Sequence, residues 1–277
     1  MSKPSSLVRD SIRNILIVFL CFAGPFLYAG YRLISEVNRQ QAVRALDERA
    51  ALVLQLLEND LQNKIQSLEH ATGILKARDF AQTKREDVES ISKKFNGVVW
   101  SGLAGLDGKV LYSTQGILEG VDVNARPWFK AGLTKPSIMD RHDALLLASK
   151  LPPRSDPYKF IDMAVPVYSR DNMLEGVLAI HMDWTWYQNQ FTELLGVQPA
   201  SSIISTVVTG KDGELRVAQL GAGQTPAELK EMLLEIKAYS EAESASPIAQ
   251  NHQYLITSLA PPEKSKLASL GWTVHLL

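Results

Sequence analysis

From Asn14 to Tyr31 the sequence carries no charged residue, and Ile15-Leu16-Ile17-Val18-Phe19-Leu20 opens the run. As a helix rising ~1.5 Å per residue, about 18 residues reach ~27 Å, close to the hydrocarbon thickness of a bilayer. Arg13 and Arg32 bracket the run, and Pro25 falls in its middle, predicting a kink of the kind membrane helices tolerate. A cleaved signal peptide is the competing reading. Its apolar region would be shorter and followed by a small-x-small site, whereas this run closes on Leu27-Tyr28-Ala29-Gly30. The run is therefore taken as an uncleaved membrane helix over residues 14–33, with residues 1–13 as a cytoplasmic N-terminus. Charge orients it weakly, because Lys3, Arg9 and Arg13 precede the span and Arg32 and Arg39 follow it. No second stretch is long enough to span, so everything after the anchor is expected on one side of the membrane.

The remainder has the composition of an ordinary globular protein. The 277-residue chain is 45% hydrophobic and 21% charged, with a formal net charge of −1. That balance gives no electrostatic footprint for nucleic acid, and there is no basic stripe with interleaved aromatics. Cys21, inside the apolar run, is the one cysteine, which excludes an intrachain disulfide and any cysteine-rich zinc site.

Residues from about Glu36 to Lys76 predict a single long helix. Apolar side chains recur at Leu46, Ala50, Val53, Leu57, Leu61, Ile65, Leu68 and Ile74-Leu75, mostly three or four apart. About 40 residues make a rod on the order of 60 Å long. Its apolar stripe fits two readings: a helix lying on its own domain, or an imperfect heptad seam between two parallel copies.

Beyond Phe80 the periodicity changes. A short helix is expected from Asp87 to Lys94. Val98-Val99-Trp100 and Gly102 to Leu106, then Asp107-Gly108, then Val110 to Ser113 read as strand, turn and strand. A second hairpin runs from Phe160 to Tyr168 and from Gly176 to Met182, with Pro166 suggesting an edge or a bulge. The strand, Asp-Gly, strand order returns at Ile203–Thr209, Asp212-Gly213 and Leu215-Arg216-Val217. A helix from Pro226 to about Ala238 follows, capped by Thr225 with Glu228 three residues on. Two strands, around Tyr254–Ser258 and Trp272–Leu276, close the chain. The expected fold is α+β: two unequal modules, each an antiparallel sheet with helices, on one long stalk helix.

The sequence shows no local nucleophile motif, Walker loop or zinc-protease helix. His70, His142, His181, His252 and His275 are scattered without metal-ligand spacing, so no catalytic residue, metal or cofactor is expected. The informative stretch begins at Arg126-Pro127-Trp128-Phe129, where Pro starts a helix and the aromatics face inward. Met139-Asp140-Arg141-His142-Asp143 then gathers polar groups ahead of Ala144 to Ala148.

Taken in order, Trp100, Asp107-Gly108, Gly120-Val121-Asp122-Val123, Arg126-Pro127-Trp128-Phe129, Ala164-Val165-Pro166-Val167 and Gly176-Val177-Leu178 resemble the double Cache sensor family. His142-Asp143-Ala144, Phe160-Ile161-Asp162 and Ala179 to Trp184 resemble a branch often attached to diguanylate cyclases and histidine kinases. The resemblance covers roughly residues 35–277. It implies two tandem PAS-like modules held out by a stalk helix at 34–79. The membrane-distal, ligand-binding module would occupy 80–200 and the membrane-proximal one 201–277. The implied protein sits in a bacterial inner membrane, with residues after about 33 in the periplasm or outside the cell. It would pair as a homodimer through the stalk. A second membrane helix and a cytoplasmic output domain normally follow. This sequence ends on Gly271 to Leu277, which reads as the last strand of the proximal module, leaving open a longer protein or one without its effector.

In family members that bind amino acids, an Arg-x-Trp-aromatic motif holds the ligand carboxylate and aspartates hold its ammonium. Arg126, Trp128 and Phe129 match the first part. Asp140 falls where a Tyr-x-Asp element would lie, but Ile138 replaces the tyrosine, and His181 stands where the last aspartate is expected. The resemblance therefore implies a carboxylate clamp without an intact ammonium site. The candidate ligand-binding residues are Arg126, Trp128, Phe129, Asp140, His142, Tyr158, Asp162 and His181. Trp128, Phe129 and His181 could instead be core, with Arg126 in a structural ion pair. Two other functions stay open: a membrane-anchored hydrolase with a spatially assembled site, and a scaffold that binds no ligand.

Overall fold

The computed structural model describes residues 6–77, 80–143, 146–196, 203–241, 248–250 and 255–277. The chain divides into two compact units, Met1–Arg49 and Ala50–Leu277. One helix, α1 (Ser6–Ala77), runs through both and continues through Pro25. In the first unit, described large apolar side chains between Ile15 and Val37 stand exposed, among them Phe19, Phe26 and Leu33. It is the one described helix long and apolar enough to cross a membrane.

In the second unit the same helix is amphipathic. Val53, Leu57, Leu61, Ile65, Leu68 and Leu75 are all buried, a stripe at the three- and four-residue spacing the sequence shows. That stripe is covered within the chain, as in the first of the two sequence readings. Polar groups beside it fasten the helix: Glu58 accepts from the backbone N–H groups of Lys266 (2.8 Å) and Leu267 (3.0 Å), and Asp60 accepts from the Tyr187 hydroxyl.

Two antiparallel five-stranded sheets follow. The first comprises β1 (Val98–Gly105), β2 (Val110–Ser113), β3 (Ser137–Asp143), β4 (Lys159–Tyr168) and β5 (Leu174–Asp183), in the order β2-β1-β5-β4-β3. The second comprises β6 (Thr206–Thr209), β7 (Leu215–Gln219), β8 (Ile248–Gln250), β9 (Leu255–Leu259) and β10 (Thr273–Leu276), in the order β7-β6-β10-β9-β8. Both sheets thus have the same strand order, which is the physical content of the repeated strand, Asp-Gly, strand pattern. Five further helices complete the fold: α2 (Arg85–Ser92), α3 (Pro127–Gly132), α4 (Trp184–Leu195), α5 (Pro226–Glu241) and α6 (Lys266–Leu270). Thr225 and Glu228 cap α5 reciprocally, as their spacing predicts.

Several sequence expectations need correction. Ser137–Asp143 has no apolar alternation, yet it forms β3, because β4 offers it a free edge. The strand expected to start at Ile203 starts at Thr206. Pro166 lies in β4, an interior strand. However, β3 stops pairing at Ala164, so beyond that point β4 has one open side, the edge-like setting in which strands accept proline. The expected strand residue Tyr254, together with His252 and Ala144-Leu145, falls outside the described residues.

Candidate ligand-binding cavity

A single row of cross-strand neighbours builds the floor of a cavity on the first sheet. Trp100 on β1 pairs with His181 on β5, His181 with Asp162 on β4, and Asp162 with Met139 on β3. Side chains in one row project to one face of a sheet. All four line a cavity of about 260 Å³, which α3 and the 3₁₀ turn Leu147–Lys150 help to enclose.

The next row contributes Phe160 of β4, two residues before Asp162 and so on the same face. Its partner on β3 is His142, which by simple alternation from Met139 should point away. A bulge resolves this: β3 spends three residues from Met139 to His142 where β4 spends two from Asp162 to Phe160. The extra residue keeps both Met139 and His142 on the cavity wall.

The aromatic groups are closely fitted. His181 stacks between Trp100 (centroids 4.7 Å apart, 18° between planes) and Phe160 (5.7 Å, 13°), and the Trp128 ring meets it edge-on at 5.9 Å. The Trp100 indole N–H donates to the Ile117 carbonyl at 2.9 Å, which fixes its orientation. Gly102 gives the ring its place, since a Cβ there would stand 2.1 Å from the indole.

Asp162 is buried and divides its carboxylate between two histidines. Oδ1 lies 2.5 Å from His181 Nδ1 and Oδ2 lies 3.3 Å from His142 Nε2. A carboxylate only accepts, so Nδ1 of His181 carries the hydrogen. Burial of this charge is offset by two imidazoles rather than by a single counter-ion.

Asp140 also forms part of the wall, but its carboxylate is bonded to the second sheet. Arg216 donates to it from Nε (3.2 Å to each oxygen) and from one terminal nitrogen (2.7 Å), and the Trp272 indole N–H donates at 2.8 Å. Arg216 is 2% exposed and also donates to Asp212 at 2.9 Å. Its guanidinium lies over Gly210, where a Cβ would come within 2.2 Å of it. Burial acts to lower the Arg216 pKa, but its bonds to Asp140 and Asp212 raise it above the usual arginine value. The neighbouring Arg141 pairs with Glu214 on the β6–β7 turn.

Arg126 is half-buried at the N-terminal boundary of α3, with Pro127 as the first helical residue. It lines the cavity, and among the described residues its side chain has no hydrogen-bond or ion-pair partner. Asp143, also on the rim, is exposed and 3.9 Å from Lys159.

Of the eight residues singled out from the sequence, the structure brings six to this cavity: Arg126, Trp128, Asp140, His142, Asp162 and His181. Phe129 is buried behind Trp128, its ring edge-on at 5.9 Å, and does not line the cavity. Tyr158 donates to the Pro152 carbonyl and carries the Arg154 guanidinium 3.8 Å from its ring, outside the cavity. Trp100, Phe160 and Met139 are among the wall residues that sequence reasoning did not single out, Trp100 although it stands in the resemblance. Phe160 was recoverable by counting two back from Asp162; Met139 was not, because the bulge hides its face.

No protein-family model matches the sequence, and no curated protein is similar to it. Solved structures are similar in fold. The sensory domain of the Campylobacter jejuni chemoreceptor Tlp3 (CcmL) superposes with a TM-score of 0.59 at 10% identity, covering 86% of this chain and 94% of that one. The ligand-binding domain of the Pseudomonas fluorescens chemoreceptor CtaA, in complex with L-serine, gives 0.56 at 15%, covering 86% and 97%. An extracellular domain described as belonging to a histidine kinase, rpHK1S-Z16, gives 0.52 at 11%, covering 87% and 95%. At these identities the likeness establishes the fold: the chain folds as the extracellular sensor domains of chemoreceptors and kinases do, in agreement with the double Cache resemblance.

Proposed function

We propose that this chain is the extracytoplasmic sensor region of a membrane-bound signalling protein and binds a small carboxylate in the cavity on its first sheet. The observation that carries the reading is Arg126: a cation without an acidic partner among the described residues, on the wall of a cavity whose aromatic rings stand beside carboxylates already bonded elsewhere or exposed. A guanidinium there offers planar paired donors to a carboxylate, and Trp100, Trp128 and Phe160 supply walls for an apolar body. The fold it shares with sensor domains supports the same reading, as does the complex of CtaA with L-serine.

In this proposal residues 14–33 cross the bilayer and 34–79 form the stalk. Residues 80–200 and 201–277 are the membrane-distal and membrane-proximal modules, both in the periplasm or outside the cell. Signalling requires a ligand that favours one of two arrangements, and an output domain of cyclase or kinase type would convert that preference into chemistry. A homodimer through the stalk belongs to the proposal. Because the stripe from Val53 to Leu75 is covered within the chain, such a contact uses a different face or the stretch before Arg49. The hydrolase reading is disfavoured by the cavity wall, which among the described residues carries no serine, threonine, cysteine or lysine beside His181 and Asp162.

The test is a thermal-shift screen of the full chain in detergent against small carboxylates, amino acids, amines and neutral metabolites. A ligand at about 100 times its Kd stabilises by ~2.7 kcal/mol, which for a domain of this size raises Tm by roughly 5–10 °C. A library in which no compound shifts Tm removes the sensor reading and favours the scaffold.

A further inference from the structure

We infer that Arg216, a residue of the second sheet, sets the charge selectivity of the cavity on the first by holding Asp140 away from any ligand. The inference rests on the proposed sensor reading and adds which headgroups the cavity refuses.

The argument is an account of charges. An ammonium group entering an apolar cavity loses its hydration, and only an unneutralised carboxylate or several well-placed acceptors can replace it. Three carboxylates border the cavity. Asp162 is shared between His181 and His142. Asp143 is exposed and lies beside Lys159. Asp140 is saturated by four donor contacts from Arg216 and Trp272, with a fifth from the Arg141 backbone N–H at 2.7 Å. Against these stands Arg126 with no acidic partner among the described residues. The cavity is therefore complementary to an anion with an apolar body and lacks a group for a ligand's cation. At about 30 Å³ per water-sized volume, 260 Å³ admits on the order of ten non-hydrogen atoms.

Arg216 makes this so from a distance. The bulge between Met139 and His142 sends two consecutive residues, Asp140 and Arg141, to the β6–β7 hairpin, while their neighbours stay in the cavity. Arg216 in turn keeps its position because Gly210 leaves room for it and Asp212 shares it. Without Arg216, Asp140 becomes a wall carboxylate with one indole donor and one backbone donor, free to receive an ammonium. Arg216 is a positioning residue: it touches no ligand and determines what the ligand can be.

The experiment compares headgroups on matched bodies, using the full chain in detergent. One set is 3-phenylpropionate, L-phenylalanine and phenethylamine; the other is 4-methylpentanoate, L-leucine and isopentylamine. The native chain should be stabilised by the acid of at least one set, with the matching amino acid bound at least ~30-fold more weakly and the amine not detectably. Arg216→Gln should narrow the acid-to-amino-acid ratio by about 10-fold or more, and Asp140→Asn added to that variant should restore it. Asp140→Asn alone, which keeps the side chain's shape should the Arg216 variant not fold, should move acid and matching amino-acid affinity by the same factor, leaving their ratio within about 3-fold of the native one, because the carboxylate it removes is already held by Arg216. Preference of the native chain for either amino acid, with loss of that binding in Asp140→Asn, overturns the inference and leaves the sensor reading standing. Silence towards all six compounds also overturns it, and the wider screen then decides the sensor reading separately.

Discussion

Asp162 and His181 face each other across β4 and β5, and the carboxylate takes the His181 Nδ1 hydrogen at 2.5 Å while both side chains are almost wholly buried. The pair sits under an aromatic stack, so the imidazole plane is fixed by Trp100 and Phe160 and its tautomer by Asp162. Removing one member of such a pair leaves the other buried without compensation. Asp162→Ala should cost ~3 kcal/mol, lowering Tm by roughly 6–12 °C. Asp162→Asn, which can still hydrogen-bond, should cost only about 1 kcal/mol. Thermal unfolding of both variants checks this; equal losses would mean that the charge, and not the hydrogen bond, holds the floor together.

Among the described residues Arg126 makes no side-chain bond, so its loss should leave the folded chain almost unchanged. For Arg126→Ala we expect a ligand-free Tm within about 2 °C of the native value, since partner-free side chains near the surface contribute within ~0.5 kcal/mol. The ligand-induced shift should disappear. An unchanged shift in this variant removes Arg126 from the site.

Gly102 tests the packing of the wall. A Cβ at that position would enter the Trp100 ring, so Gly102→Val must displace the indole or break the strand pairing. Overpacking of this kind costs about 1–3 kcal/mol. The expected signature is a lower Tm together with at least ~10-fold weaker ligand binding, because Trp100 is a cavity wall. Native affinity in a folded Gly102→Val protein would show that the ring can move without consequence.

His275 makes a pH prediction for the second sheet. It is 4% exposed, and burial lowers its pKa from 6.5 to about 4. Its two nitrogens face the hydroxyls of Thr209 (2.9 Å) and Ser258 (2.7 Å), partners that suit a neutral ring. Between these two pKa values the unfolded chain binds a proton that the native chain does not, so stability falls as pH drops below ~6.5 and levels off below ~4. The full effect is of the order of 3 kcal/mol at ~1.36 kcal/mol per pKa unit. Denaturant unfolding at pH 7.5 and 5, which spans only part of that window, should differ by about 2 kcal/mol, and His275→Gln should flatten the difference.

The legible parts of this protein were those with local physical causes. The long apolar helix at the N-terminus follows from an uncharged run of sufficient length, the buried stripe on α1 from three- and four-residue spacing, and the hairpins from Asp-Gly between apolar strands. Arg126, Trp128 and His181 were legible through their places in a resemblance, and Asp162 through the strand that carries it. Phe129 and Tyr158 were misplaced because aromatic character does not say which face of an element a ring occupies. The strand β3 was illegible because most of its side chains are polar. They serve the cavity and the second sheet, not an apolar core.

By itself, then, the sequence determined the long helix with its apolar N-terminal run, the two-sheet α+β architecture and six of the side chains that meet in the cavity. All of these depend on periodicity, composition or turn chemistry within a few neighbouring residues. Only the tertiary structure decided that Asp140 belongs to Arg216 and Trp272, which lie 76 and 132 residues away in sequence. A carboxylate's partner is chosen by distance in space, and a one-residue bulge in β3 was enough to redirect it.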